Sequence, residues 1–117
     1  MIELTVPIRI VSESNRSAGQ HWSVRHKRFV EQKQEIWWTW RATNRQPLPV
    51  PVVVTLTRIA PRRFDDDNLT SGFKATRDQI AELLGVDDGD PRVTWRYAQE
   101  RGRPREYAVR IRIEAAA

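Results

Sequence analysis

Three consecutive aspartates at residues 65–67 constrain this chain more than any other feature of its sequence. They follow an apolar run at residues 52–59 and precede a helical pattern at residues 70–84. Carboxylates at positions i and i+2 can converge on one divalent cation, and hard oxygen ligands favour magnesium or manganese. A second acidic pair, Asp87 and Asp88, lies one helix length further along. A helix that folds back would bring both clusters together as a metal site suited to phosphate chemistry.

Other interpretations of the acidic stretch are weaker or remain open. A calcium loop of the EF-hand type needs an oxygen at its fifth position and a glutamate at its twelfth, where this chain has Leu69 and Thr76. A solvated acidic turn stays open, although adjacent aspartates repel one another unless a cation or basic surroundings offset them. Acyl-transfer chemistry has little support, because the chain has no cysteine and no serine in a nucleophile-elbow context.

Length and composition set the general class of protein. The 117 residues are expected to form a single domain over residues 1–117. No segment approaches the length of a membrane span and the N-terminus does not resemble a secretory signal, so no membrane partner is expected. Without cysteine, disulfides and thiolate sites are excluded, and a reducing cytoplasm is the expected location. No small-molecule cofactor is expected.

The net charge of +5 conceals an uneven distribution of charge. Eight of the fifteen acidic residues lie between positions 65 and 90, and the rest of the chain is strongly basic. A basic body attracts polyanions, because each neutralised phosphate releases counterions. On charge alone, a nucleic-acid surface and an ordinary arginine-rich solvated surface are equally good interpretations.

Apolar periodicity predicts an α+β fold, a small mixed four-stranded sheet with two helices in the order β-α-β-α-β-β. Residues 2–11 alternate cleanly, and Pro7 favours an edge position or a bulge in that strand. Residues 52–59 begin with an apolar run on both faces, which is typical of a central strand. Residues 93–97 and 107–114 also alternate and predict a closing hairpin around a basic turn.

Helical spacing predicts one helix over residues 23–44 and another over residues 70–84, the second with a glycine as its C-cap. Trp37, Trp38 and Trp40 cannot all point inward, because adjacent helical residues lie about 100° apart. Burial in the core or in a dimer contact is favoured over base stacking for these tryptophans.

The polar loop at residues 12–22 offers candidate contacts to nucleic acid. Asn15, Arg16 and His21 carry groups that bind phosphates or base edges. Trp22 is suited either to stack on a nucleobase or to pack at the entry of the following helix, with the next serine as its cap.

A family resemblance is carried by Asp65-Asp66-Asp67-Asn68-Leu69, then Lys74, Asp78 and Asp87-Asp88, arranged after a strand and around a helix. This pattern resembles the RusA family of Holliday-junction resolvases, especially its phage-type members. Known members are homodimers of a small α+β fold that cut four-way DNA junctions with magnesium. The order of elements extends the resemblance over nearly the whole chain, although only positions 62–90 are specific.

The resemblance implies particular roles for four residues. Asp65, Asp67 and Asp88 would be the metal-binding catalytic carboxylates, and Lys74 the catalytic lysine. Mg²⁺ is then the expected cofactor, and Mn²⁺ is expected to substitute for it.

The sequence departs from the family pattern at two places. Residues 70–72 form an insertion before Lys74. Asp66 adds a carboxylate where an apolar residue is often found, and it is either an accessory metal ligand or simply exposed. Asp87 is a second candidate for an accessory ligand.

These observations predict a magnesium-dependent endodeoxyribonuclease that resolves four-way DNA junctions by paired nicks as a homodimer. Two alternatives stay open: a non-catalytic module that binds branched DNA, and a metal-dependent nuclease acting on flaps or single strands. The residues expected to contact branched DNA are Asn15, Arg16, His21, Arg25, Lys27, Arg62, Arg63, Arg101, Arg103 and Arg105.

Overall fold

A computed structural model describes residues 1–11, 22–43 and 45–116 of the chain. Its elements are β1 (Ile2–Val6), α1 (Trp22–Thr43), β2 (Val52–Ala60), α2 (Asp66–Gly72), α3 (Lys74–Leu84), β3 (Val93–Arg101) and β4 (Ala108–Ala115). The α+β class and the mixed four-stranded sheet are confirmed. The described residues form three helices rather than the expected two, because the second expected helix is divided at Phe73.

The strands form one sheet in the order β1-β4-β2-β3. β4 is antiparallel to both β1 and β2, whereas β2 is parallel to β3. β1 is an edge strand and β2 is central, as predicted. The expected hairpin of the last two strands is wrong, since β2 lies between them. The apolar β2 gains ladder hydrogen bonds on both sides in this position, whereas a β3–β4 hairpin would separate it from one of these two partners.

One face of the sheet is buried beneath the helices. Leu4, Ile111 and Leu56 lie in register across β1, β4 and β2 and are all buried. The helices pack Ile36 of α1 and Ile80 of α3 into the same core. The opposite face is largely polar, as expected of a sheet covered on one side. None of the described helices combines the length and apolar character needed to cross a bilayer.

β1 is shorter than the expected strand over residues 2–11. It ends at Val6, because Pro7 has no amide hydrogen and Ile8 N–H turns back to donate to the Val6 carbonyl at 2.9 Å. Ile8 and Ile10 remain buried, so the alternation of the sequence continues beyond the ladder.

α1 begins at Trp22, close to the expected start of the first helix, and only one of its three clustered tryptophans is buried. Trp40 packs in the core, whereas Trp37 and Trp38 are exposed. α3 ends as predicted at Gly85, whose left-handed conformation (φ 74°) lets its N–H cap the last turn.

Candidate functional site

The three aspartates lie at the N-terminal end of α2. Asp65 is its N-cap, and its Oδ1 accepts a hydrogen bond from Asn68 N–H at 2.8 Å. Asp66 and Asp67 occupy the first helical turn and are exposed. Unpaired amides at a helix N-terminus favour negative charge, which offsets part of the repulsion among the three carboxylates.

Gln99 of β3 fixes the segment that leads into these aspartates. Its Oε1 accepts a hydrogen bond from Phe64 N–H, and its Nε2 donates to the Phe64 carbonyl, both at 2.8 Å. The Phe64 ring also lies 3.5 Å from the guanidinium carbon of Arg58. The hydrogen bonds between Gln99 and Phe64 fix the backbone just before Asp65, the N-cap of α2.

Arg77 of α3 holds the loop that carries Asp88. Its Nη2 donates to the Asp88 carbonyl at 2.9 Å, and its Nη1 donates to the Tyr97 hydroxyl at 2.8 Å. Its Nε lies 3.7 Å from Asp88 Oδ2, an ion pair without a hydrogen bond. Trp95 Nε1 donates to the same Asp88 carbonyl at 3.1 Å. These contacts from α3 and β3 therefore hold the loop that contains Asp88 next to β3.

The two acidic segments are attached at different points along β3. Trp95 binds the Asp88 loop, and Gln99 binds Phe64 just before Asp65. Four residues of strand span roughly 13 Å. In the part of the chain that the structure describes, no three acidic, histidine or cysteine side chains lie close enough to hold one metal ion. The expected convergence of both clusters on a metal ion is therefore not formed in this arrangement.

Lys74, the first residue of α3, lines an open groove. The groove has a volume of about 410 Å³, and Trp22, Arg25, His26 and Phe29 of α1 form its other side. Trp22 is 68% exposed, and its ring contacts that of His26 with 6.2 Å between the ring centroids. An exposed indole beside basic side chains is an arrangement that suits base stacking and phosphate contact.

Asp78 binds Lys33 rather than the neighbouring Lys74. Lys33 Nζ lies 2.7 Å from Asp78 Oδ2 and 2.7 Å from Glu82 Oε1. Burial alone would lower the pKa of Lys33, but the two carboxylates outweigh it and raise that pKa. This contact joins α1 to α3. Lys74 forms no ion pair with any residue in the described ranges.

The residues expected to contact DNA fall in separate places. Asn15, Arg16 and His21 lie outside the described residues. Arg25 lines the Lys74 groove, whereas Lys27 pairs with Glu31 on the exposed side of α1 at 3.9 Å. The remaining five lie near the carboxyl ends of β2 and β3: Arg62, Arg63, Arg101, Arg103 and Arg105.

Arg103 and Arg105 lie on a connection that crosses the end of β2 rather than in a hairpin turn. Gly102 N–H donates to the Ala60 carbonyl at 2.9 Å, which attaches this connection to β2. Glu106 N–H then donates to the Arg103 carbonyl at 3.0 Å, and Arg105 has a positive φ of 64°. Both arginines are exposed.

Two arginines of β4 on the open face of the sheet have carboxylate partners. Arg110 binds Glu100 at 2.6 Å, and Arg112 lies 3.4 Å from Glu3. The Glu100 contact raises the pKa of Arg110. This pairing favours the interpretation of that face as an ordinary solvated surface.

Arg58, Arg77 and Gln99 were not identified from the sequence. The signal for Arg58 is present, because alternation along β2 places it on the same face as Val54 and Leu56. Arg58 is only 5% exposed. Burial lowers the pKa of its guanidinium; Tyr107 opposes this effect, and the like charge of Arg9 adds to it.

No protein-family model matches the sequence, and no curated protein matches it. The functional argument therefore depends on the residues and their geometry.

Proposed function

We propose that this protein is a magnesium-dependent endodeoxyribonuclease that resolves four-way DNA junctions. The proposal includes a RusA-like topology and a location in a reducing cytoplasm. The observation that carries the proposal is the relation of Asp67 to Lys74. The exposed carboxylate lies in the first turn of α2. Lys74, which forms no ion pair within the described ranges, begins α3 beside a basic, aromatic groove. Seven residues of chain, across the join between α2 and α3, separate the two groups, and the proposal places both on one stretch of DNA backbone.

The donor groups suit Mg²⁺ chemically. Asp65, Asp67 and Asp88 provide hard oxygen ligands, and we assign the metal directly to Asp65 and Asp67, with Asp88 reaching it through water or a DNA phosphate. Mg²⁺ is usually held by one or two carboxylates together with substrate phosphates and water. A site completed by DNA is therefore compatible with the lack of a three-carboxylate cluster among the described residues. When bound, the ion would activate a water molecule and offset charge on the phosphate.

The chain's own side chains have defined tasks in this proposal. Asp65 is held in place by its capping bond to Asn68 N–H, so it provides a rigid start for the site. Arg77 holds Asp88 against β3. Lys74, whose possible partner Asp78 is engaged by Lys33, would neutralise the phosphate or the leaving oxygen.

Cleavage of a synthetic four-way junction, with and without magnesium, tests the proposal. Asp67→Asn should reduce cleavage by about 100-fold or more, because a carboxamide cannot replace an anionic ligand, while binding to the junction persists. Asp66→Asn removes the same charge from the same turn and should retain most of the activity. Equal loss in both variants would assign the effect to the charge of the turn and contradict the role of Asp67.

A non-catalytic module that binds branched DNA is the second candidate. It is favoured by one observation, the absence of three converging metal-binding side chains in the described part of the chain. A wild-type protein that binds junctions but never nicks them in magnesium or manganese would establish this candidate instead.

A further inference from the structure

A basic cavity lies where the parallel strands β2 and β3 end. It has a volume of about 300 Å³ and is lined by arginine side chains, Arg58, Arg62, Arg63 and Arg101. We call it the arginine pocket. The carboxyl ends of parallel strands are where open sheets with helical crossovers commonly bind ligands. Of the residues that the structure describes, none lines both this pocket and the Lys74 groove.

Arg58 is a buried charge for which the described residues provide no anionic partner. Its Nη1 donates to the Arg62 carbonyl at 2.6 Å, and the Phe64 ring lies over its guanidinium. These contacts orient the side chain but do not neutralise it. Within the described ranges no carboxylate pairs with Arg58, and its buried Nε has no hydrogen-bond partner. A buried cation is costly unless an anion accompanies it.

The rest of the pocket does not supply that anion. Glu100 is the one acidic residue among the described residues that line it, and the carboxylate of Glu100 binds Arg110 at 2.6 Å. Arg62, Arg63 and Arg101 are exposed at the pocket and can turn toward an incoming ligand. Guanidinium groups match the geometry of phosphate oxygens through paired hydrogen bonds. The pocket therefore suits a tetrahedral oxyanion.

We propose that the arginine pocket binds a backbone phosphate of the DNA strand that the enzyme cuts, close to the phosphate at Asp65 and Asp67. This assignment rests on the proposed nuclease function. Arg63 precedes Asp65 by two residues, a distance of at most about 7 Å along the chain. One strand can therefore contact both places. Arg58 provides the fixed charge, and the exposed arginines provide hydrogen bonds.

The first measurement uses inorganic phosphate on the metal-free protein, so it does not depend on cleavage. In ¹H–¹⁵N spectra, phosphate should shift the Arg58 Nε–H and Gln99 side-chain resonances, whereas chloride at equal ionic strength should not. Arg101→Gln, at an exposed position, should weaken phosphate binding by about tenfold, the scale of one charge-assisted hydrogen bond. Arg58→Lys, which keeps the charge but loses the planar donors, should weaken it similarly.

The second measurement uses duplex DNA without metal. Arg101→Gln should lower the affinity and reduce the slope of log K against log salt by about one unit. Arg96→Gln is the matched control, because Arg96 is an exposed arginine of β3 outside the pocket. It should leave phosphate binding unchanged.

Each result distinguishes the source of the phosphate. If phosphate binds in the pocket but Arg101→Gln affects DNA no more than Arg96→Gln does, the pocket serves a free phosphate or nucleotide and the DNA assignment is overturned. If phosphate causes no shifts beyond those of chloride, the pocket assignment fails outright. Both measurements can succeed when the junction is never cut, so a failure of the nuclease proposal is recognised separately.

Discussion

Gly72 is the residue on which the join between α2 and α3 most directly depends. A Cβ at this position would lie 2.5 Å from Ile10 Cγ2 and 3.1 Å from the Val11 carbonyl oxygen. We expect Gly72→Ala to lower the free energy of unfolding by about 1–3 kcal/mol, because overpacking forces the segment after β1 to move. Chemical denaturation measures the change. Ser71→Ala, at an exposed neighbouring position, should change stability by less than about 0.5 kcal/mol. Equal effects from the two variants would contradict this account.

At the residue scale the sequence predicted which residues carry charge, but not which residues they meet. Gly85 was predictable as a C-cap, because a local rule determines it. The partner of Asp78 is Lys33, which is 45 positions away and on another helix. Helical spacing identifies the residues that share a face, but it contains no information about which distant side chain packs on that face. Arg58 was missed although its position in the β2 alternation marked it as inward-facing.

Lys33 is the side chain that joins α1 to α3 by charge. We expect Lys33→Met, which keeps an apolar stem of similar length, to lower the free energy of unfolding by about 1 kcal/mol, since both carboxylates are partly exposed. Lys27→Met is the control, because Lys27 and Glu31 form a surface ion pair at 3.9 Å. This variant should lower the free energy of unfolding by less than Lys33→Met does. Equal losses would mean that the α1–α3 contact contributes no more than a surface pair.

The pH dependence of this contact has a definite sign. The pKa of Lys33 is raised above its usual 10.5 in the folded protein, so folding favours the protonated amine. The stability that Lys33 adds over Lys33→Met is therefore fully present below about pH 10 and is lost as pH rises through the raised pKa. Urea denaturation of both proteins at several pH values from 8 upward would show the difference narrowing. A difference that grew with pH would contradict this assignment.

At the scale of secondary-structure elements, hydrophobic periodicity predicted which helices and strands exist better than it predicted where each one begins and ends. α1 and the central strand lie close to their expected bounds, since long amphipathic or apolar patterns are unambiguous. The helix expected over residues 70–84 is divided, because Asp65 caps a separate short helix and Gly72 must pack against Ile10. The hydrophobic pattern of the sequence contains no information about a close contact such as that between Gly72 and Ile10.

At the scale of the whole molecule, strand pairing was the least predictable property. β3 and β4 are consecutive and both alternate, which favoured a hairpin, yet β2 separates them. Alternation specifies the face of a strand that is buried but not the neighbour with which it pairs. Among the consequences is the arginine pocket, which exists because β2 and β3 end together.

The surface of α1 provides the material for a homodimer. Trp38 is 62% exposed, and its ring meets that of Trp37 edge-on at 4.8 Å between centroids. Trp37 also lines a mostly apolar groove of about 390 Å³ between α1 and α3, together with Phe29 and Val30. Exposed aromatic groups next to an apolar groove are typical of protein interfaces. Since a four-way junction has approximate twofold symmetry, two identical sites related by a dyad would supply matched nicks.

We therefore predict that the working unit is a dimer formed through Trp37 and Trp38. Sedimentation at micromolar concentration should show a dimer for the wild type, and Trp38→Lys should shift it toward monomer because it buries a charge in the interface. Trp22→Lys is the matched control, as it changes another exposed tryptophan of the same helix at the Lys74 groove, and it should leave the dimer intact. A heterodimer of wild-type and Asp67→Asn subunits should nick only one strand of a junction. A wild-type protein that stays monomeric, both free and on a junction, would refute the dimer.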